Sequence, residues 1–226
     1  MCIRDRYPFL CSDGVLIAPV DARLVVREVY KLDVYECGEI EKDDVVVDVG
    51  AHVGAFTLMS ARRARLVVAV EPYPPNVKLL LANMRINRLE NVIAVDAALG
   101  SYDGEAELYI ATKTALHTIS ANRKRLDGAI SPIYDRRLKV KLRTLDSVVE
   151  ELGIKKVSFI KVDVEGAELD VLKGMSNTLR NSRKLKVAVA TYHLPGETKM
   201  VRDFLRSRGF KIFAFKWGVL HGARSE

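Results

Sequence analysis

The clearest pattern along the chain is a series of short, continuously apolar runs, each followed by a turn and then by a segment of helical period. Val45-Val46-Val47-Asp48-Val49 is mostly β-branched and of strand length. Its near-unbroken apolarity predicts burial on both faces, as in a parallel sheet. Gly50 to Gly54 reads as a turn leading into a helix over Ala55 to Ala64. Leu66-Val67-Val68-Ala69-Val70 is a second buried strand, ending at Glu71. Pro74 to Arg88 is a helix with proline in its first turn and Val77, Leu80, Leu81, Met84 and Ile86 as apolar positions. Val92 to Val95 is a third strand, ending at Asp96.

The rhythm then changes. Glu105 to Ile110 alternates like a half-exposed strand, and Ala111 to Arg137 is polar, basic and weakly periodic. Leu138 to Leu142 alternates again, with Lys139, Lys141 and Arg143 on one face. Thr144 caps a predicted helix running to Leu152 and closed by Gly153. A fourth strand, Val157 to Val162, ends at Asp163, and Glu165 to Leu179 is read as one helix. Leu185 to Ala190 is a fifth strand, and Thr198 to Ser207 a helix with Gly209 at its end. Phe210 to Phe215 and Trp217 to Leu220 form a final hairpin. Before all this, Val15 to Pro19 is a short strand and Asp21 to Tyr35 an amphipathic helix with Asp21 as N-cap. Residues 1–40 are therefore expected as a strand and helix appendage and 41–226 as the main domain, with a basic insertion at 111–143. Met1 to Arg6 have no place in the pattern.

Strands alternating with helices imply an α/β fold, a mostly parallel sheet covered on both faces. Ligands of such sheets sit beyond the strand carboxyl ends, where the strand order reverses. This singles out Gly50, Glu71, Asp96 and Asp163. The chain has 226 residues, 49% of them hydrophobic and 29% charged, enough for one sizeable core. Its net charge of +7 fits either an anionic partner or a solvated basic surface. No run reaches the length of a membrane span; the nearest, Phe9 to Val20, is broken at Ser12-Asp13-Gly14. The three cysteines, Cys2, Cys11 and Cys37, form no metal or disulfide pattern, so a reducing, cytoplasmic setting is expected.

The strand ends carry a cofactor signal. The turn after Asp48 holds Gly50, Ala51, His52 and Gly54, and Glu71 follows about 20 residues on, where a carboxylate accepts ribose hydroxyls. The middle glycine of a dinucleotide fingerprint is replaced by His52. Asp48 would repel a pyrophosphate but suits the ammonium of a methionine moiety. S-adenosylmethionine is therefore favoured over a dinucleotide. His52 reads as a hydrogen-bonding turn residue rather than a base.

These residues resemble the FkbM-type methyltransferase family. Asp48-Val49-Gly50-Ala51-His52-Val53-Gly54-Ala55-Phe56-Thr57 is similar to its first motif, and Val70-Glu71-Pro72 with Asn76, Leu79 and Asn83 to its second. Ala97-Ala98-Leu99-Gly100, Arg143-Thr144-Leu145-Asp146 and the stretch Ile160 to Glu168 complete the likeness, which runs from about Tyr30 to Phe213. The resemblance implies the class I methyltransferase fold, a Rossmann-like three-layer sandwich whose seven-stranded sheet ends in an antiparallel strand. It implies S-adenosylmethionine as donor and often O-methylation of sugars or natural products. Carried over, Asp48, Gly50, Ala51, His52 and Gly54 line the methionine and ribose side, Glu71 holds the ribose with Pro72 also in the cofactor site, and Asp96 with Ala97 borders the adenine. Asp163 and Glu165 lie where the methyl is transferred. One departure stands out: the family's glutamate near the end of strand five is replaced by Ala190 or Thr191, while His193 remains.

Transfer to a hydroxyl needs a general base or a metal. Asp163, Glu165 and His193 are the candidates for the base, and a divalent ion such as magnesium is the alternative, with no ligand set specified. Glu168 reads first as a helix-start acid, and His117 as a residue that could reach the substrate from the insertion. Arg123, Lys124, Arg125, Arg136, Arg137, Lys139, Lys141 and Arg143 concentrate positive charge beside the acceptor side. The expected acceptor is a small molecule or glycan hydroxyl, anionic if the insertion contacts it. The alternatives are RNA, for which only Tyr134 offers a stacking ring in the insertion, and a binding module that retains the fold without turnover.

Overall fold

The computed structural model describes residues 6–35, 40–121, 134 and 136–224. Two strands, β1 (Arg6–Cys11) and β2 (Gly14–Pro19), form an antiparallel hairpin, followed by a single 3-10 turn and α1 (Arg23–Tyr30). The alternating region comprises β3 (Val45–Val49), α2 (Ala55–Ala61), β4 (Leu66–Glu71), α3 (Pro74–Ile86) and β5 (Val92–Asp96). A small second sheet holds β6 (Ala98–Leu99), β7 (Gly104–Ile110) and β8 (Arg136–Arg143). The chain continues through α4 (Leu145–Glu151), β9 (Phe159–Val162), α5 (Glu168–Lys173), α6 (Ser176–Asn181), β10 (Leu185–Ala190) and α7 (Glu197–Ser207). It closes with β11 (Lys211–Lys216) and β12 (Val219–Arg224).

The main sheet has seven strands in the order β11-β12-β10-β9-β3-β4-β5. All neighbours are parallel except around β12, which is antiparallel to both β10 and β11. This is the expected mostly parallel sheet with its last strand reversed. Chain order turns back between β3 and β9, so the carboxyl ends of those two strands and of β4 open a crevice there. One face packs Val47, Val49, Ile160 and Val187 against helix residues such as Val148, Leu172, Val201 and Leu205. The other packs Val46, Val67 and Phe159 against Phe56 and Met59 of α2 and against Leu16, Ala18 and Val29 from the N-terminal segment. No helix of the described residues is long and apolar enough to cross a membrane.

Four local features differ from the sequence reading, each for a physical reason. The helix expected over Asp21 to Tyr35 is confined to α1. Asp21 does not cap it, because its carboxylate accepts hydrogen bonds from Thr114 N (2.6 Å) and Thr114 Oγ1 (3.1 Å). The helix expected over Glu165 to Leu179 is two short ones. Glu165 and Gly166 have φ of 57° and 96°, which no α-helix accommodates. At the break, Gly174 lies so close to Gly100 that a side chain there would strike the Gly100 carbonyl. The final hairpin is found, with Trp217 and Gly218 at φ 53° and 81°, the pattern of a two-residue turn matched to strand twist. Its second strand runs on to Arg224 and inserts between β10 and β11.

The fourth difference is the pairing of β2. Its one edge pairs with β1, which was not anticipated, and its other edge pairs with two side-chain amides of α3. Asn83 accepts from Ile17 N at 2.7 Å and donates to Ile17 O at 3.0 Å; Asn87 does the same to Val15 N at 2.9 Å and Val15 O at 2.7 Å. Four residues of helix rise about 6 Å and two residues of strand about 6.6 Å, so two asparagines one turn apart match alternate strand residues. Asn83 also donates to Val53 O at 2.8 Å, tying the hairpin to the turn after β3. Asn83→Ala leaves these buried backbone groups without partners. It is expected to cost about 2–3 kcal/mol in urea denaturation.

Candidate active site

The crevice contains a cavity of about 250 Å³. Its floor is the turn after β3, its sides are the ends of β4 and β9, and it is covered by α1 and by the segment around Thr114. Gly50 sits at the centre with φ 78°, and a Cβ there would collide with the Asp163 carbonyl. Only glycine allows β3 and β9 to close together at this point.

On the β4 side, Glu71 is buried and lines the cavity. It accepts from His52 N at 3.0 Å, Tyr73 N at 3.0 Å and Asn76 Nδ2 at 3.2 Å. Burial outweighs these donors and pushes its carboxyl up to about 7. His52 has φ 54°, so its amide points at Glu71 while its ring meets Thr114 Oγ1 at 3.0 Å. Burial holds the ring down to about 4, so it is neutral and serves as a turn residue. Thr114 thereby joins Asp21, His52 and, through its carbonyl, Asn76 at 3.4 Å. Ala51, Pro72 and Ala97 line the cavity as well.

Three sequence-selected residues lie elsewhere. Asp96 ends β5, the edge strand, and is exposed away from the cavity. Gly54, with φ 94°, caps α2 and packs against Leu80 rather than lining the cavity. Asp48 is fully buried in the sheet beneath the turn, bound by Lys161 Nζ at 3.0 Å and by Thr57 Oγ1 at 2.6 Å. Lys161, only 4% exposed, also donates to Gly50 O at 2.7 Å. Burial alone would lower the Lys161 ammonium, but Asp48 and Asp163 raise it.

On the β9 side, Asp163, Glu165 and His193 meet. Asp163 Oδ1 and Glu165 Oε1 lie 3.5 and 3.4 Å from His193 Nε2. Tyr35 OH donates to Asp163 Oδ2 at 2.7 Å. Behind the ring, Glu168 Oε1 lies 2.8 Å from His193 Nδ1 and accepts from Val164 N at 3.0 Å. Glu197 accepts from His193 N at 3.0 Å and Leu194 N at 3.2 Å. Burial opposes a charge on His193, but Glu165 and Glu168 lift it well above its ordinary value. Burial and Glu168 push Glu197 up to about 8, so it holds a proton at neutral pH, while Glu168 is held low by His193 against its own burial. Asp163, Glu165 and His193 each bring one donor atom within 4.8 Å of the others, as do Glu168, His193 and Glu197. Both sets share His193, whose ring would have to give up a proton to bind an ion.

Sequence reading missed four contributors here. Tyr35 and Glu28 come from the N-terminal segment; Glu28 lines the cavity, and burial with Asp163 and Glu165 raises its carboxyl. Tyr192 lines it too, its phenol raised by Asp163 and by burial. No short-range motif marks any of these three. Lys161 did carry a signal, as a lone charge within a buried strand. His117 lines the β4 side, its ring edge-on to Tyr73 at 4.2 Å, whereas His221 is buried in β12 away from the cavity.

The basic segment is largely engaged where it is described. Arg137 pairs with Glu107 at 3.3 Å, Lys139 with Glu105 at 3.4 Å and Arg143 with Glu151 at 2.9 Å. Arg123, Lys124 and Arg125 lie outside the described residues. The Lys161–Asp48 pair has a testable consequence. Lys161→Met leaves a buried carboxylate alone and is expected to cost about 3–5 kcal/mol. Adding Asp48→Asn to it should recover most of that loss in a double-mutant cycle followed by denaturation.

Residues 48–212 match the methyltransferase FkbM domain family. The chain is 27% identical to 31-O-demethyl-FK506 methyltransferase FkbM of Streptomyces tacrolimicus, over 89% of this chain and 88% of that one. It is 32% identical to hexuronic acid methyltransferase AglP of Haloferax volcanii, over 63% of this chain and 54% of that one. It is also 28% identical to AMB antimetabolite synthetase AmbE of Pseudomonas aeruginosa, covering 89% of this chain but spanning 11% of that protein. The fold is shared with the crystal structure of methyltransferase FkbM from Methylobacillus flagellatus, with a TM-score of 0.55 at 17% identity, over 80% of this chain and 43% of that one. With a matched span that runs from Asp48 in β3 through Asp163, Glu165 and His193 to β11, the chain belongs to the FkbM methyltransferase family and is an S-adenosylmethionine-dependent methyltransferase.

Proposed function

We propose that the chain methylates a hydroxyl of a sugar or other small molecule, with Asp163 as the general base. The observation that carries this reading is the placement of Asp163 and Glu71 on either side of Gly50, at the ends of the two strands that flank β3. In this reading Glu71 would hold the ribose of the donor, Ala97 would border its adenine, and the methyl would be supplied beside Asp163. Tyr35 OH occupies one oxygen of Asp163 and fixes the carboxylate. The acceptor oxygen attacks the methyl carbon as the carbon–sulfur bond breaks, and its proton passes to Asp163. A methyl ether, S-adenosylhomocysteine and the protonated Asp163 result. Holding acceptor and donor in line supplies much of the acceleration.

Two relatives support the acceptor class: the names of one specify a hexuronic acid and of the other a demethylated FK506. RNA is less well supported, because Arg137, Lys139 and Arg143 are paired with acids and the cavity itself is walled by Glu28, Asp163 and Glu165. A screen of tritiated-methyl transfer to sugar, nucleotide-sugar and RNA pools, with and without magnesium, tests the reading. Label in the sugar or small-molecule pools is expected. Transfer to RNA with a steep salt dependence would replace this reading with the nucleic-acid one, and cofactor binding without transfer to any pool would leave a binding module.

Asp163→Asn keeps the acceptor for Tyr35 but removes the base. It is expected to lower kcat by about 10²-fold or more, a larger loss than the weakening of cofactor affinity read by calorimetry. Glu71 accepts ribose hydroxyls best as a carboxylate, and it ionises near 7. Cofactor affinity should therefore rise about tenfold between pH 6 and pH 8 as the ionised fraction grows, and Glu71→Gln should flatten that dependence.

A further inference from the structure

We infer that Glu168 is a positioning residue that keeps His193 as a doubly protonated imidazolium, and that this fixed cation does for Asp163 and Glu165 what a divalent metal ion would otherwise do. The inference rests on the proposed role of Asp163 as base, but its central observable is independent of any acceptor.

The geometry is a chain of contacts through one ring. Glu168 Oε1 is 2.8 Å from Nδ1, and Glu168 has no exposure to solvent. An ionised carboxylate there can only accept, so Nδ1 carries a proton. On the other side, Nε2 faces Asp163 Oδ1 at 3.5 Å and Glu165 Oε1 at 3.4 Å. A lone pair facing two carboxylate oxygens would be repelled, whereas an N–H attracts both. His193 is itself buried, so the ring cannot turn to water for relief. Three carboxylates thus lie around one ring, and the charged form is the one attracted to all three. Its raised proton affinity agrees with this.

The remaining charged or titratable neighbours are consistent. Glu197 faces Glu168 from α7 as the protonated partner, so it adds no second negative charge behind the ring. Lys161 is engaged by Asp48 and by Gly50 O, and Tyr35 by Asp163. Glu28 on α1 and Tyr192, beside His193, face the same carboxylates from the cavity side. Two carboxylates at one hydroxyl ordinarily repel each other, and one of them takes up a proton. The positive ring beside both offsets that repulsion, and Asp163 accepts the proton of the acceptor. Without Glu168 the Nδ1 side loses its carboxylate, and the ring keeps only the Nε2 proton that Asp163 and Glu165 attract.

The test is long-range proton–nitrogen correlation spectroscopy of the full chain labelled with nitrogen-15 histidine at pH 7, with the His193 signals assigned by His193→Asn. Both ring nitrogens of His193 are expected to carry protons, while His52 and His117, held near 4 by burial, report neutral rings in the same spectrum. Glu168→Gln should convert His193 to a neutral ring and lower kcat by about 10²-fold, with acceptor KM changed by less than about threefold. Glu197→Gln keeps a neutral donor toward Glu168 and an acceptor toward the two amides, so it should leave His193 doubly protonated. Activity should persist in excess EDTA. A neutral His193 in the unsubstituted protein overturns the inference even if Glu168→Gln fails to fold. So does a charged ring in Glu168→Gln, or activity that EDTA abolishes and magnesium or manganese restores. Failure to find a sugar acceptor would leave the histidine spectrum unchanged, so the two readings fail separately.

Discussion

Asp48 and Lys161 are direct cross-strand neighbours on β3 and β9, the two strands between which the sheet reverses its order. Their ion pair at 3.0 Å is sealed from water, and the rest of the site hangs from it. Lys161 reaches past Asp48 to the Gly50 carbonyl, so the ammonium holds the turn that leaves β3. Asp48 reaches the other way to Thr57 and holds the start of α2. One pair therefore fixes two strands, a turn and a helix relative to one another. Replacing such a pair by apolar side chains often costs little stability, so stability alone is a weak reason for it. Here it supplies geometry: the turn has two residues of positive φ before Gly54, Gly50 and His52, and Lys161 is the fixed donor to the Gly50 carbonyl.

The parallel core was legible because the information is local. Val45 to Val49, Leu66 to Val70 and Leu185 to Ala190 are apolar on both faces, and a sheet covered on both sides is the structure that uses such runs. The breaks were not legible because they depend on partners far along the chain. Asp21 is a good cap by type, but Thr114 takes its carboxylate. Asn83 and Asn87 are ordinary polar helix residues until β2 is placed beside them. Gly174 ends a helix because Gly100 is pressed against it.

The site divides the same way. Residues at strand ends could be selected from the sequence, and Gly50, Glu71 and Asp163 do border the cavity. Asp48 and Asp96 were selected by the same rule and lie outside the lining, for opposite reasons. Asp48 is one residue inside its strand, so its side chain stays within the sheet layer and meets Lys161. Asp96 is at the end of a strand, but that strand is the sheet edge, where the end faces solvent. Tyr35 and Glu28 come from a segment that precedes residues 48–212, so no motif within that span could have included them.

Charge in the cavity opposes the charge of the chain. The basic strand β8 spends Arg137 and Lys139 on Glu107 and Glu105 at the surface. Inside, Lys161 answers Asp48 and His193 answers Glu168, so Glu28, Asp163 and Glu165 face whatever enters. A sulfonium donor is attracted to such a wall, and the thioether product, neutral at sulfur, is attracted less. That difference favours exchange of product for donor. It also carries a cost, since a wall that binds the sulfonium tightly stabilises the ground state more than a transition state in which the positive charge is dispersing. An imidazolium beside Asp163 and Glu165 reduces this attraction where the methyl is transferred, while Asp163 keeps its role as base. The buried carboxylate at position 168 is then a condition for the acid wall to assist transfer rather than only to hold the donor.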